Sequence, residues 1–580
     1  MIEYLDKIMA TIAEVMWSMP LVIFLLGSGI FFTLYSRFTP FLYLRHAIDI
    51  LMGKYDSADD PGQITHFEAL SSALASTVGM GNIAGVAVAI HTGGPGAIFW
   101  MWLTAVIGMS TKFFTCTLAV LFRGKDDQGE VQGGVMYYIE EGLGKKYKPL
   151  AILFSISGLF GCITFFQANQ LSQIIRDFLY QPAGLFQESA FTGNIITGFI
   201  VSGLVGLVIF GGIKRIAKVA SKLVPGMVGL YMVAALIILG MNFGEIPEIF
   251  FMIFRDAFTG DAVQGGALGS IIVIGVRRGL FSNEAGTGTE AMAHGAAKTK
   301  EPVREGLVAM LGPFIDTIIV CSITALLILS SGMWHAGFQA RVTGFQDNNN
   351  TMVMQVVDLQ ELGTPSDEWL GFTFKYGQEV FGPVPSAEPE LVTILFEVDS
   401  VLSDSTVIIS ESKSSEKDQN RILVSDSMVF YIDHNQHLGI GHTQTRLDDL
   451  FQPEGSFLTL EVNGVTLTTL SFKKELGILG QIFLTIAVLT FALSTMFGYS
   501  YYGRKCTSHL LGTKWKVIYN WFYLIMIVIA SVAPIDIAIN FVDSAFAMMV
   551  IPTLISTLLL APKVLQEANR YFSEFQRSHN

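Results

Sequence analysis

The chain is built from long apolar runs separated by short polar joints. An apolar run of about 20 residues, wound as an α-helix, spans the roughly 30 Å of a bilayer's hydrocarbon, so each such run predicts a membrane-crossing helix. The runs begin near Val15, Phe67, Ala97, Leu150, Phe191, Val224, Ala262, Val303, Leu476, Val517 and Ala533, which makes about eleven spans. Between the eighth and the ninth the period changes to that of strands. Leu391 to Val398, Thr406 to Ser410, Arg421 to Asp433 and Leu458 to Phe472 alternate in this way, and Asn463-Gly464 suits a type I′ hairpin turn. The pattern predicts an all-α polytopic membrane body in two parts, residues 1–332 and 476–580, interrupted at 333–475 by a small all-β domain.

Charge sharpens this division. The chain has 580 residues, of which 51% are hydrophobic and only 15% charged, against about 25% charged in soluble domains. Residues 333–475 hold 8 Lys and Arg against 21 Asp and Glu, which accounts for the whole formal net charge of −13 and leaves the membrane body balanced. Nucleic acid is a poor partner for such a surface. Basic residues cluster in alternate joints: Arg37, Arg45 and Lys54, then Arg123, Lys125 and Lys145, then Lys214, Arg215 and Lys218, with Lys298, Lys300 and Arg504 later. The positive-inside rule makes these joints cytoplasmic, the N-terminus and the acidic insertion extracytoplasmic, and the C-terminus cytoplasmic. The four cysteines, Cys116, Cys162, Cys321 and Cys506, show no spacing of a metal site or disulfide framework. No nucleophile and base stand at a spacing that suggests an enzyme.

A repeat is legible within the membrane body. Asn82-Ile-Ala-Gly85 in the second helix returns as Asn283-Glu-Ala-Gly286 in the seventh, and Cys116-Thr-Leu-Ala-Val-Leu returns as Cys321-Ser-Ile-Thr-Ala-Leu. Five helices separate the copies, so the second enters the membrane from the opposite side. This is a 5+5 inverted repeat of helices two to six and seven to eleven.

Both copies carry a weak point in mid-membrane. Ser76-Thr-Val-Gly-Met-Gly-Asn82 holds two glycines around one residue, each costing about 1 kcal/mol in a helix. Gly81 and Gly85 also fit a Gly-xxx-Gly packing face, so this segment alone leaves packing and interruption open. The matching stretch Arg278-Gly-Leu-Phe-Ser-Asn-Glu-Ala-Gly-Thr-Gly288 favours interruption, because paired breaks in corresponding halves are the sequence mark of a transport site. An unwound segment offers free N–H groups to a carboxylate and free carbonyls to a cation. Such a device suits an amino acid together with a small cation. Gln167, Asn169 and Gln170 on the fourth helix and Ser494-Thr495 on the ninth are polar groups that serve equally as ligands or as interhelical bonds. Asp316, Lys112 and Glu284 are ionisable groups deep in predicted spans.

Gly93-Gly-Pro-Gly-Ala-Ile-Phe-Trp-Met-Trp-Leu-Thr-Ala-Val-Ile-Gly108 resembles the signature of the alanine or glycine:cation symporters, also called sodium:alanine symporters. Arg278 to Gly286, Gln167-Ala-Asn169 and Ser494-Thr-Met-Phe-Gly-Tyr-Ser-Tyr-Tyr-Gly503 are similar to further blocks of that family. The resemblance implies a leucine-transporter type of fold and uptake of a small neutral amino acid, alanine or glycine above all, with sodium or a proton. It implies that the Met80 and Gly81 amides receive the substrate carboxylate, with Gln167, Phe281 and Thr495 lining the pocket. Gly79, Asn82, Asn169, Ser282, Asn283 and Tyr499 complete the candidate substrate-binding set. It also implies a sodium site of the Ala75, Val78 and Phe491 carbonyls and the Ser494 and Thr495 hydroxyls. Two features depart from the family: Tyr499 stands where Trp is usual, and the insertion has no counterpart. The expected setting is the bacterial inner membrane. A membrane sensor descended from a transporter, its β domain binding a ligand or partner outside, is the competing reading.

Overall fold

The computed structural model describes residues 11–259, 268–335 and 464–579, apart from positions 12, 14, 58, 128–130, 181–182, 187–188 and 534. Between 337 and 461 it describes only separate strand segments. The principal helices are α1 (Met19–Tyr35), α2 (His66–Thr77), α3 (Gly81–Gly93), α4 (Ala97–Leu121), α5 (Lys145–Tyr180), α6 (Phe191–Ile209), α7 (Gly212–Met241), α8 (Leu268–Asn283), α9 (Pro302–Ser330), α10 (Gly464–Leu511), α11 (Lys516–Ala530) and α12 (Ile535–His579). Among the described residues seven helices are long and apolar enough to cross a membrane, or eight if α2 and α3 form one bent span. The other three predicted spans are α1, α8 and α11, of 17, 16 and 15 residues. Helix length therefore does not establish the expected total of eleven crossings.

The body is polar inside and apolar outside. Asn82, Ser282, Glu284, Glu290, Glu305 and Asp316 are fully buried, whereas Phe199, Leu207, Val233, Phe251, Ile478 and Trp521 are exposed. In water this distribution would be unfavourable; in hydrocarbon the outer apolar belt meets its own kind, and the inner polar groups satisfy one another.

The region between α9 and α10 differs from expectation. Its strand segments form four separate sheets of two, five, two and four strands. Two-stranded ribbons are marginal alone, and the compact all-β domain expected at 333–475 is not supported. The boundary at 475 also moves. Leu458 to Phe472 was expected to be a strand pair turning at Asn463-Gly464, but only Phe457–Glu461 is a strand, and α10 starts at Gly464. Gly464 adopts a left-handed φ of 62°, and Val465, Leu467, Leu470 and Phe472 that follow are buried. Burial against the membrane body overrides the strand preference of Val and Thr in this segment. At Gly477 (φ 59°, ψ −145°) the chain turns sharply before running on as the apolar limb of α10. The first limb rests on α3 and on the end of α9: the Thr468 hydroxyl donates to the Ile83 carbonyl (3.3 Å), and Lys474 Nζ donates to the Ser331 carbonyl (2.7 Å).

Candidate functional site

The interruption expected in the second span is present. α2 is opened by a Thr65 and Glu68 capping box and ends at Val78, whose backbone is extended (φ −72°, ψ 92°). α3 restarts at Gly81 with a π-helical turn to Gly85, and the two halves bend by 55°. Asn82 holds the break open. Its Oδ1 accepts the Gly79 N–H (2.8 Å), and its own N–H turns back to the Gly79 carbonyl (3.1 Å). In an unbroken helix those two N–H groups would bond the carbonyls of Ala75 and Val78. Their diversion releases both oxygens at mid-membrane. The Met80 and Gly81 N–H groups stand at the opening of α3, where a helix has no intrahelical acceptor to offer.

Two helices close over the break. From α10, Thr495 lies so close that a Cβ on Gly79 would overlap its hydroxyl. The Thr495 and Ser494 hydroxyls both donate to the Phe491 carbonyl, at 3.0 and 2.8 Å. From α8, Phe281 covers Gly81, with ring carbons 3.3–3.4 Å from where a Cβ would stand. Phe166 and Phe546 pack on that ring at centroid distances of 5.5 and 6.0 Å, and the Arg278 guanidinium lies 5.5 Å from it. Arg278 in turn bonds Asp543 of α12 (2.9 Å), an ion pair shared with Arg277. The structure thus brings Gly79, Met80, Gly81, Phe281 and Thr495 together.

Gln167 is buried, and its Oε1 has no hydrogen-bond partner. An orphaned buried acceptor is costly and usually has a ligand or water to meet. Asn169 is engaged differently: its Nδ2 donates to the Ala533 carbonyl (2.6 Å), and its Oδ1 accepts from Gln170 (3.1 Å). Asn82, Ser282 and Asn283, expected to touch substrate, are spent on the protein itself. Asn82 Nδ2 donates to Asp316 (2.7 Å), Ser282 to the other Asp316 oxygen (2.5 Å), and Asn283 Nδ2 to Thr317 (3.2 Å). They fasten the two breaks to α9.

The second break follows α8. Glu284 takes a left-handed φ of 55°, as do Gly286 (113°) and Gly288 (79°), and a short helix resumes at Ala291. A glutamate there is strained backbone, which is held only where its surroundings demand it. Its carboxylate accepts from Tyr499 and from Thr289. The hydroxyl that distinguishes Tyr499 from a tryptophan therefore binds the second break.

Sequence reasoning missed a buried cluster formed by three separate segments. Glu305 accepts from His66 of α2 and from His294 beyond the second break (2.5 Å to Nδ1). Arg123 joins it nearby by donating to the Gly295 and Thr299 carbonyls (2.9 and 3.2 Å) and to that of Ala297. Burial brings its guanidinium down to about 10, so it stays charged at neutral pH. These bonds tie the start of α2 to the segment after α8. Residues 239 positions apart carry no periodic signal that would have paired them.

The family model of the sodium:alanine symporter family matches residues 2–362 and 450–580. The chain belongs to that family. Its relatives include the sodium/alanine symporter AgcS of Methanococcus maripaludis, 31% identical over 98% of this chain and 97% of the relative. The probable sodium/glutamine symporter GlnT of Bacillus subtilis is 37% identical over 57% of this chain and 67% of its own length. Among solved structures, MhsT in complex with L-phenylalanine aligns over 87% of this chain and 98% of its own, with 10% identity and a TM-score of 0.47. This chain is accordingly a multi-pass membrane transporter for amino acid and cation, not an enzyme.

Proposed function

We propose that the chain couples the inward movement of sodium to uptake of a small neutral amino acid, alanine or glycine first. The reading is carried by the Asn82 cap, which diverts two N–H groups from the Ala75 and Val78 carbonyls at a break whose Gly79 is packed against Thr495. Oxygen donors of this kind suit a hard cation. With the Phe491 carbonyl and the Ser494 and Thr495 hydroxyls they make five candidate ligands for sodium. The substrate carboxylate meets the Met80 and Gly81 amides at the head of α3. Its ammonium faces the orphaned Gln167 Oε1, and Phe281 and Thr495 bound the space for the side chain. Gly79 supplies the close approach between α2 and α10, while Asn82, Ser282 and Asn283 hold the breaks and Asn169 the neighbouring helix. Tyr499 sets the second break through Glu284. A 5+5 inverted repeat relates the two breaks, the N-terminus and the acidic insertion are extracytoplasmic, and the C-terminus is cytoplasmic.

The test is uptake of labelled alanine into proteoliposomes with and without an inward sodium gradient. Accumulation that follows the gradient is expected. Its absence would favour the sensor reading. A proton in place of sodium is the second reading, motivated by Glu284 and Asp316, two fully buried carboxylates at the breaks. Replacing sodium by a large organic cation at fixed pH decides between them, since undiminished uptake would remove sodium from the mechanism.

A further inference from the structure

A cavity of about 370 Å³ opens away from the transport site, where several joints of the helix body meet. Gln63 and Gln132 line it, as do residues 211–214 at the start of α7 and the cations Lys214, Arg504, Lys505 and Lys516. Four cationic side chains around one hollow repel one another, and among the described residues Asp126 is a carboxylate that meets Lys516 there. It accepts from Lys516 Nζ (3.1 Å) and from Gln132 Nε2 (2.9 Å).

Lys505 makes the imbalance acute. It is 6% exposed, its ammonium donates to the neutral Gln132 Oε1, and it lies 5.4 and 5.9 Å from the Tyr501 and Tyr137 ring centres. Among the described residues no carboxylate forms an ion pair with it. Among the described residues the direct contacts of this buried ammonium are an amide and two ring faces, with Asp126 acting on it from beyond Gln132; such a charge is costly to bury, and an anion entering the hollow would relieve that cost. Arg504 is stacked at 5.6 Å on Tyr501 and packs against Gly212, whose left-handed φ of 67° allows the turn into α7. A guanidinium fork beside lysine point charges is the donor set that phosphate oxygens prefer.

We propose that this hollow binds a phosphate-bearing anion. Its source is either the head group of an anionic phospholipid, which basic pockets between membrane helices recognise, or free inorganic phosphate. The assignment is independent of what the transport site carries.

The experiment uses the purified full-length protein stripped of lipid and two probes. Phosphatidylglycerol is added in mixed micelles and its retention followed by native mass spectrometry; inorganic phosphate is titrated calorimetrically. Lys505→Gln and Lys214→Gln are compared with Lys222→Gln, which lies on α7 but outside the hollow. Each of the first two is expected to weaken binding about fivefold, and the third to leave it unchanged. Lys214 is exposed, so its variant remains informative if Lys505→Gln does not fold. A loss confined to phosphatidylglycerol identifies the lipid, and a loss of phosphate binding identifies the free anion. If neither probe binds, or if Lys214→Gln and Lys505→Gln bind both as the wild type does, the proposal is overturned.

Discussion

Gly79→Ala probes the junction of α2 and α10 with a single carbon. The backbone at Gly79 is not left-handed, so alanine adds no conformational strain there. The new Cβ would overlap the Thr495 hydroxyl, yet it would meet Thr495 Cβ and the Phe491 carbonyl at 3.4 and 3.8 Å, which is ordinary contact. The collision is confined to one oxygen, and rotating Thr495 about χ1 relieves it. That rotation breaks the 3.0 Å bond to Phe491, so folding stability should fall by only about 1 kcal/mol. The cation site loses more, because one of its five proposed ligands swings away. Bonds to charged groups are each worth about 1.5–3 kcal/mol, so the sodium concentration for half-maximal alanine uptake should rise roughly ten- to hundredfold. The assay is initial uptake against sodium concentration in proteoliposomes, with a melting curve of the same preparation. Gly79→Ala/Thr495→Ala should melt no lower than Gly79→Ala while remaining weak for sodium, since the overlap is gone but the hydroxyl and its bond to Phe491 are not restored. A Gly79→Ala protein with unchanged sodium dependence would refute the reasoning.

Other consequences follow from the same geometry. Gly81→Val puts a branched side chain against Phe281, where a Cβ is already at 3.3 Å, and should abolish amino-acid binding; saturable alanine binding by this variant would show that the pocket lies elsewhere. Gln167→Leu removes an acceptor that no protein group uses, so stability should hold or rise slightly while alanine affinity falls by about 1–3 kcal/mol, read by equilibrium binding. Deleting residues 363–449, which the family match passes over, should leave sodium-driven uptake intact; complete loss of uptake in a well-folded deletion protein would give the insertion a transport role. Tyr499→Phe removes a donor to Glu284 and should reduce the transport rate severalfold more than it alters sodium affinity, because the hydroxyl holds the second break rather than the ion.

The two breaks were legible because glycine in mid-span leaves a local mark: Gly79 and Gly81 in one half, Gly286 and Gly288 in the other. What Asn82 does there was half legible. Its position beside the break was plain, but whether it served substrate or backbone depended on partners 200 or more positions away, Ser282 and Asp316. The Glu305 cluster was hidden for the same reason. The start of α10 misled in the opposite sense, since Val465, Thr468 and Thr469 prefer strands locally and become helical through burial against α3 and α9. The count of eleven spans rests on the apolar runs of the sequence, since over their described residues α1, α8 and α11 run for 17, 16 and 15 residues.

The most direct measurement is an experimental structure determined with alanine and sodium present. The account predicts a carboxylate at the Met80 and Gly81 amides and an ion among the Ala75, Val78 and Phe491 carbonyls and the Ser494 and Thr495 hydroxyls. A continuous helix running from His66 to Gly93, or an amino acid bound away from that bend, would contradict it.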